Sequence, residues 1–353
     1  MKEINLLGNL NSKGGGEQSL CTLASTLLAS GWTVHLHPWG SVNEQYRSLG
    51  LPIVETDIKP NLPLLFYAND RIGKFCKEEK YRQIVHNASD LIVGINYVNR
   101  PLPTCEWIRE SGKLRAVIFQ NEEKRDEFDR DAKGLLPNTK RIVLFGAVEL
   151  GPFLELPLRK RTDESLVVLK HCLSDTRKYV TQDSRARGEK IHLWQRHLDK
   201  ELDTKLYARL LKDVPSARFE FMEAHSELSA AFRDEPRMQF HAWDALPVTD
   251  FLARGHVYLY RTSNAWRDQY PRVVAEALSA GLPVLTEPRD GTRDRVQHGD
   301  TGLYCIDYDS WCYGLKLLAR KETYRRAMGE RARVWARDRL DPRRWVEVLD
   351  ELA

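Results

Sequence analysis

Short unbroken apolar blocks alternate along the first half of the chain with longer stretches in which apolar residues return every third or fourth position. The blocks are INLLGN (4–9), TVHLHPW (33–39), LPLLFYA (62–68), DLIVGINYV (90–98), LRAVIFQ (114–120) and TKRIVLFG (139–146). Such runs predict buried strands. Between them, EQSLCTLASTLLAS (17–30), KEEKYRQIVHNA (77–88) and NEEKRDEFDRDAKGL (121–135) have helical spacing, and the first stops at Gly31. Strands and helices in this alternation predict a parallel sheet with crossover helices.

The pattern breaks at ELPLRKRTDES (155–165), a polar, basic stretch that reads as a linker, and then restarts. SLVVLK (165–170), ARFEFME (217–223), MQFHAW (238–243), VYLYR (257–261), LPVLT (282–286) and TGLYCID (301–307) are the second set of strands. HLWQRHLDKELDTKLYARLLKDV (192–214) reads as a long helix. Two doubly wound α/β domains are expected, and ligands of such sheets bind at the carboxyl ends of the strands, so a cleft between the domains is the expected site.

Composition narrows this only a little. At 353 residues the chain is long enough for two full cores. A net charge of +4 permits an anionic substrate without demanding one. No run approaches the roughly 18 apolar residues of a membrane helix, and the first residues do not read as a signal peptide. Cys21, Cys76, Cys105, Cys172, Cys305 and Cys312 form no C-x-x-C pair. They are expected to be reduced, in a cytoplasmic protein.

The candidate chemistry lies in DQYPRVVAEALSAGLPVL (268–285). Pro271 suits a helix start, and Val273, Val274, Ala277 and Leu278 recur at helical spacing. Gly281 suits the stop, and Leu282-Pro283-Val284-Leu285 opens a buried strand. Glu276 is required by none of this. An acid inside an apolar helix needs a partner, and the plain alternative is a charge favoured by the helix dipole.

This segment resembles the retaining glycosyltransferases of the GT-B fold, in the large family 4. Members carry Glu-x7-Glu, a small-residue helix end with GLPV, and a glycine turn ending in GETGLL. Here Asp268-x7-Glu276 leads into ALSAGLPVLTEPRDGTRDRVQHGDTGLYC. YRRAMGERARVWARDRLDPRRWVEVLDEL (324–352) is similar to the closing helices, and GGGEQSL sits where the family has Gly-Gly-x-Glu. RAVIFQNEEKRDEF and LFGAVELGPF match two strand-to-helix steps of the first domain, so the likeness spans nearly the whole chain. It implies two Rossmann-like domains facing a cleft. Residues 1–158 would bind the acceptor, residues 163–340 the nucleotide-sugar donor, and 341–353 would cross back to the first domain.

The resemblance also implies roles. Glu276 would hold the ribose hydroxyls, and Asp268 the transferred sugar, with Asp one methylene shorter than the family's Glu. A basic pair after the first strand of the second domain would face the diphosphate. With SLVVLK as that strand, the pair is Lys170 and Lys178, with His171 and Arg177 nearby. Fixed cations there stabilise the charge that develops on the leaving group. The N–H groups of Arg272 and Val273, and those of Gly15 and Gly16 in the first loop, would meet the donor; a plain flexible loop is the alternative for the glycines. No metal and no cofactor is expected, because no D-x-D stands between apolar strands. Two histidines in HLH (35–37) share a strand face, but the sequence places no third ligand beside them, so core or surface histidines are the better reading.

The acceptor is less legible. Asn69, Asp70 and Arg71 follow a first-domain strand and are candidates for its contacts, equally readable as a plain turn. Lys13, Trp39, Arg71, Lys74 and Arg100 would suit duplex DNA with hydroxymethylated pyrimidines, its target nucleotide flipped out. A saccharide or glycan acceptor is the alternative, since +4 is a small charge for a DNA enzyme. A nucleotide-sugar epimerase, a phosphorylase or a non-catalytic binding module on the same fold would fit other outcomes.

Overall fold

The computed structural model describes residues 2–11, 15–38, 40–54, 58–68, 79–95, 113–119, 141–144, 166–168, 190–193, 200–222, 224, 226–242, 245–261, 271–289 and 291–352. The chain divides into two compact units, Met1–Leu173 with Pro342–Ala353, and Ser174–Asp341.

The first unit is built on seven strands: β1 (Glu3–Gly8), β2 (Thr33–Pro38), β3 (Leu64–Ala68), β4 (Leu91–Ile95), β5 (Leu114–Phe119), β6 (Arg141–Leu144) and β7 (Leu166–Val168). They run parallel in the order β2-β1-β3-β4-β5-β6-β7. Helix α1 (Gly15–Ala29) returns from β1 to β2, and α2 (Glu44–Arg47) and α3 (Glu79–Asn87) follow β2 and β3. Period-2 alternation puts Ile4, Leu6, Val34 and Leu36 on one face of the sheet. There they pack with Leu20, Leu23, Ala24 and Leu27 of α1, and with Trp345, Val346 and Leu349 of the C-terminal helix, Arg343–Leu352. The indole Nε1–H of Trp32 donates to Asp350 at 3.2 Å, and Lys2 pairs with the same carboxylate at 2.6 Å.

The second unit is a six-stranded parallel sheet of β8 (Lys190–Leu193), β9 (Arg218–Met222), β10 (Met238–His241), β11 (Tyr258–Tyr260), β12 (Val284–Thr286) and β13 (Gly302–Tyr304). Its order is β10-β9-β8-β11-β12-β13. The described helices are α4 (Lys200–Asp213), α5 (Ser226–Ala231), α6 (Val248–Ala253), α7 (Arg272–Ser279), α8 (Thr292–Arg295), α9 (Tyr308–Arg320) and α10 (Glu322–Arg339). Both faces are covered. Phe219, Phe221, Leu259 and Leu285 meet Tyr207, Leu210, Trp311 and Leu315 on one side. Tyr258, Tyr260 and Val284 meet Phe251, Val274, Leu278 and Ala332 on the other.

Two sequence expectations differ from this architecture. The block 165–170, expected to open the second domain, places Leu166–Val168 beside β6, with Ile142 opposite Leu166. The second sheet opens instead with β8, whose last two residues, His192 and Leu193, begin the stretch 192–214 expected to be all helix. A short apolar block does not specify which sheet it joins, and KIHL runs into a helical pattern without a turn signal between them. The linker expected at 155–165 therefore lies ahead of the division, which falls between Leu173 and Ser174. The other described elements follow the expected alternation, with ends displaced by a few residues, and the helix expected at 121–135 lies outside the described residues.

Candidate functional site

In the second sheet the chain winds outward from β8 through β9 to β10, then from β11 through β12 to β13. The reversal lies between β8 and β11, and the crevice beyond their carboxyl ends is where doubly wound sheets take ligands. Residues leaving β11 and β12, and the start of the helix that follows β11, are therefore the groups to inspect.

That helix is α7. Pro271 stands just before it, at the N-cap rather than inside the first turn, and its carbonyl accepts from Val274 N–H at 3.1 Å and Ala275 N–H at 3.3 Å. Arg272 and Val273 supply the first-turn N–H groups that make no intrahelical bond. At the other end Leu282 N–H donates to Ala277 O and Gly281 N–H to Leu278 O, both at 2.9 Å, which is a Schellman closure. Gly281 takes φ +70°, and a Cβ there would stand 2.8 Å from the Arg333 guanidinium of α10. Gly329 of α10 faces Gly281 O so closely that a Cβ would meet it at 2.3 Å. The helix is thus fixed at its end and pressed flat against α10.

Glu276 is fixed with it. It is 3% exposed, and its Oε1 accepts from Arg272 Nε at 3.1 Å, one turn earlier. Its Oε2 is buried and has no hydrogen-bond partner among the described residues. A buried carboxylate with one open oxygen is costly in a free-standing fold and suits a site that receives hydroxyl donors.

A second ion pair stands at the strand ends. Arg261, the residue after β11, donates through Nε to Glu287 Oε1 at 2.9 Å, and Glu287 is the residue after β12. Arg289 approaches the other oxygen at 3.6 Å. Thr292, at the start of α8, donates to Glu287 O at 2.6 Å and so fixes the turn that carries the carboxylate.

No family model and no curated protein matches the chain by sequence. Solved structures do match by shape. HepE from Anabaena, in complex with UDP and glucose, superposes with TM-score 0.69 at 13% identity, over 99% of this chain and 100% of that one. A glycosyltransferase from Rickettsia africae gives 0.70 at 13%, covering 99% and 98%. The pneumococcal O-GlcNAc transferase GtfA, in complex with UDP and GlcNAc, gives 0.69 at 10%, covering 99% of each. This chain has the GT-B fold.

In a GT-B chain the first strand of the second sheet matters, because the expected basic pair follows it. Here that strand is β8, and the basic residues next in sequence are Arg196 and Lys200. Lys200 opens α4, and Arg196 lies outside the described residues. Lys170, Lys178, Asp268, Asn69, Asp70 and Arg71 also lie outside them. Of the remaining candidates, the structure brings Arg272, Val273 and Glu276 together on α7. Gly15 and Gly16 form the first turn of α1, which begins two residues earlier than expected. Beside them Glu17 is buried, and its Oε1 accepts from Asn9 Nδ2 at 3.0 Å, just past the end of β1. The pair Arg261–Glu287 was not anticipated, and no local signal announces it, since the two residues meet only because β11 and β12 are neighbours.

Other polar motifs serve the fold. His35 Nε2 lies 2.6 Å from Glu3 Oε1, and His37 Nε2 lies 3.1 Å from Asn5 Oδ1. Among the described residues no group of three His, Cys, Asp or Glu side chains is arranged to hold a metal ion. Asp307 caps α9 by accepting from Ser310 N–H at 2.8 Å, and that bond holds its carboxyl below the usual range. Asp309 is paired with Arg209. Cys21, Cys305 and Cys312 are all buried. No described helix is long and apolar enough to cross a membrane.

Proposed function

We propose that the protein is a glycosyltransferase that moves a sugar from a nucleoside-diphosphate sugar to an acceptor hydroxyl, with retention at the anomeric carbon. The observation that carries the reading is Glu276: buried, held by Arg272 on one oxygen, and open on the other. Ribose hydroxyls are the donors that would complete it. The N–H groups of Arg272 and Val273 then face the diphosphate from the helix start. Arg196 and Lys200, after β8, take the part first read into Lys170 and Lys178, neutralising the leaving diphosphate. Asp268 holds the transferred sugar. The leaving phosphate accepts the acceptor's proton, so no protein base is assigned, and transfer needs no divalent metal. UDP in the HepE and GtfA complexes makes a uridine donor the first to try.

The acceptor falls to the first unit, through Asn69, Asp70 and Arg71. That unit carries 25 Lys and Arg against 24 Asp and Glu. A near-neutral surface favours a saccharide hydroxyl over DNA, whose affinity rests on many phosphate contacts. Hydroxymethylated DNA is kept as the second reading for the basic loop residues Lys13, Arg71, Lys74 and Arg100.

The test is a panel of UDP-, GDP- and dTDP-sugars, read by released nucleoside diphosphate, with saccharides and with hydroxymethylated or unmodified duplexes as acceptors. Turnover that requires an acceptor and survives a chelator is expected. Sugar interconversion without an acceptor would mean an epimerase, and manganese dependence would remove the metal-free mechanism. Transfer to the hydroxymethylated duplex alone would reinstate DNA.

A further inference from the structure

The second unit repeats one arrangement twice. On α7, Arg272 Nε holds one oxygen of Glu276 at 3.1 Å and the other oxygen is open. At the strand ends, Arg261 Nε holds Glu287 Oε1 at 2.9 Å. Glu287 Oε2 lies 3.6 Å from Arg289 Nη1, beyond hydrogen-bond range, and accepts no hydrogen bond among the described residues.

Three facts make this pair more than a brace. Arg261 is 8% and Glu287 20% exposed, and an ion pair largely withdrawn from water seldom stabilises a fold better than apolar residues of the same volume. Its members are the first residues after β11, which borders the reversal at β8, and after the neighbouring β12, on the ligand-taking edge of the sheet. Finally, Arg261 fixes the carboxylate while leaving one oxygen able to accept, which is a preorganised acceptor rather than a satisfied pair. A phosphate would be repelled by that oxygen, whereas a neutral hydroxyl would donate to it.

We propose that Glu287 accepts a hydrogen bond from a hydroxyl of the transferred sugar, and that Arg261 is the positioning residue that aims it. The inference rests on the donor reading above and deepens it: Glu276 reads the nucleoside and Glu287 reads the sugar. Asp268 gives the pair a reason. Asp is one methylene shorter than the family's Glu, and a second carboxylate would supply selectivity among sugars that differ by single hydroxyls.

Calorimetric binding of UDP and of UDP-glucose to the full chain tests this with Glu287→Gln, which keeps the shape and removes the charge. UDP affinity is expected to stay within about twofold, while UDP-glucose weakens about tenfold or more, the usual consequence of losing a hydrogen bond to a charged group. In a series of UDP-deoxyglucoses, one deletion should erase the difference between variant and wild type. Arg261→Lys keeps the charge without the fork, and should lose UDP-glucose affinity in the same direction by a smaller factor; it serves alone if Glu287→Gln does not fold. Equal weakening of UDP and UDP-glucose in the folded variants, or no change in either, would overturn the assignment and make the pair a brace. Wild-type protein that binds none of the common nucleoside diphosphates would overturn the donor reading and this inference with it.

Discussion

Two buried polar groups, one in each unit, are treated in opposite ways. Asn5 of β1 is fully buried, and both ends of its amide are used: Nδ2 donates to Lys59 O at 2.8 Å and Oδ1 meets His37 Nε2 at 3.1 Å. Glu276 of α7 is almost as deeply buried, yet only one of its oxygens is used. Asn5 therefore belongs to the fold, where its burial is balanced by a hydrogen bond at each end of the amide. Glu276 is half-finished, and a half-finished buried carboxylate is what a binding site looks like before its ligand arrives.

The contrast can be broken by substitution. The largest effect should come from the first unit's core, as a scale for the rest. Trp345 is fully buried between the C-terminal helix and the sheet, and Trp345→Ala should cost about 3–5 kcal/mol of stability in urea unfolding. A cost under about 1 kcal/mol would mean that the helix is not part of that core. Next, Asn5→Leu keeps the volume but strands the Lys59 carbonyl and the His37 ring, at an expected cost of about 1–3 kcal/mol. Glu276→Gln should cost least, under about 1 kcal/mol, because glutamine keeps an acceptor for Arg272 and removes a charge that lacks full compensation. If Asn5→Leu proved harmless and Glu276→Gln unfolded the protein, the distinction between the two sites would be reversed.

How far the sequence reveals this site depends on which residues are local to one another. Helix α7 is legible because everything that defines it lies within one short stretch: Pro271 before it, a 3.6-residue period along it, and Gly281 where the backbone needs φ +70°. An acid inside that period is visible as an anomaly. The strand β8 is not legible, because no turn signal in the sequence separates its four residues from the helical spacing that follows, and the longer period dominates. Reading Leu166–Val168 as the opening of the second sheet in its place puts the expected diphosphate cations at Lys170 and Lys178, which lie outside the described residues. The pair Arg261–Glu287 is illegible for another reason. Its members meet across neighbouring parallel strands, and parallel pairing leaves no mark in the sequence between them.

The central claim is that the open oxygen of Glu276 receives the ribose of a nucleoside diphosphate. The most direct test measures UDP and 2′-deoxy-UDP binding to wild-type protein and to Glu276→Gln by calorimetry. Wild type should prefer UDP by about tenfold or more, since the deleted hydroxyl is a donor to a buried carboxylate. The variant should bind both ligands alike, with UDP affinity lowered to about the level of the deoxy compound. A preference that survives unchanged in Glu276→Gln would contradict the account, because the ribose would then be held by some other group.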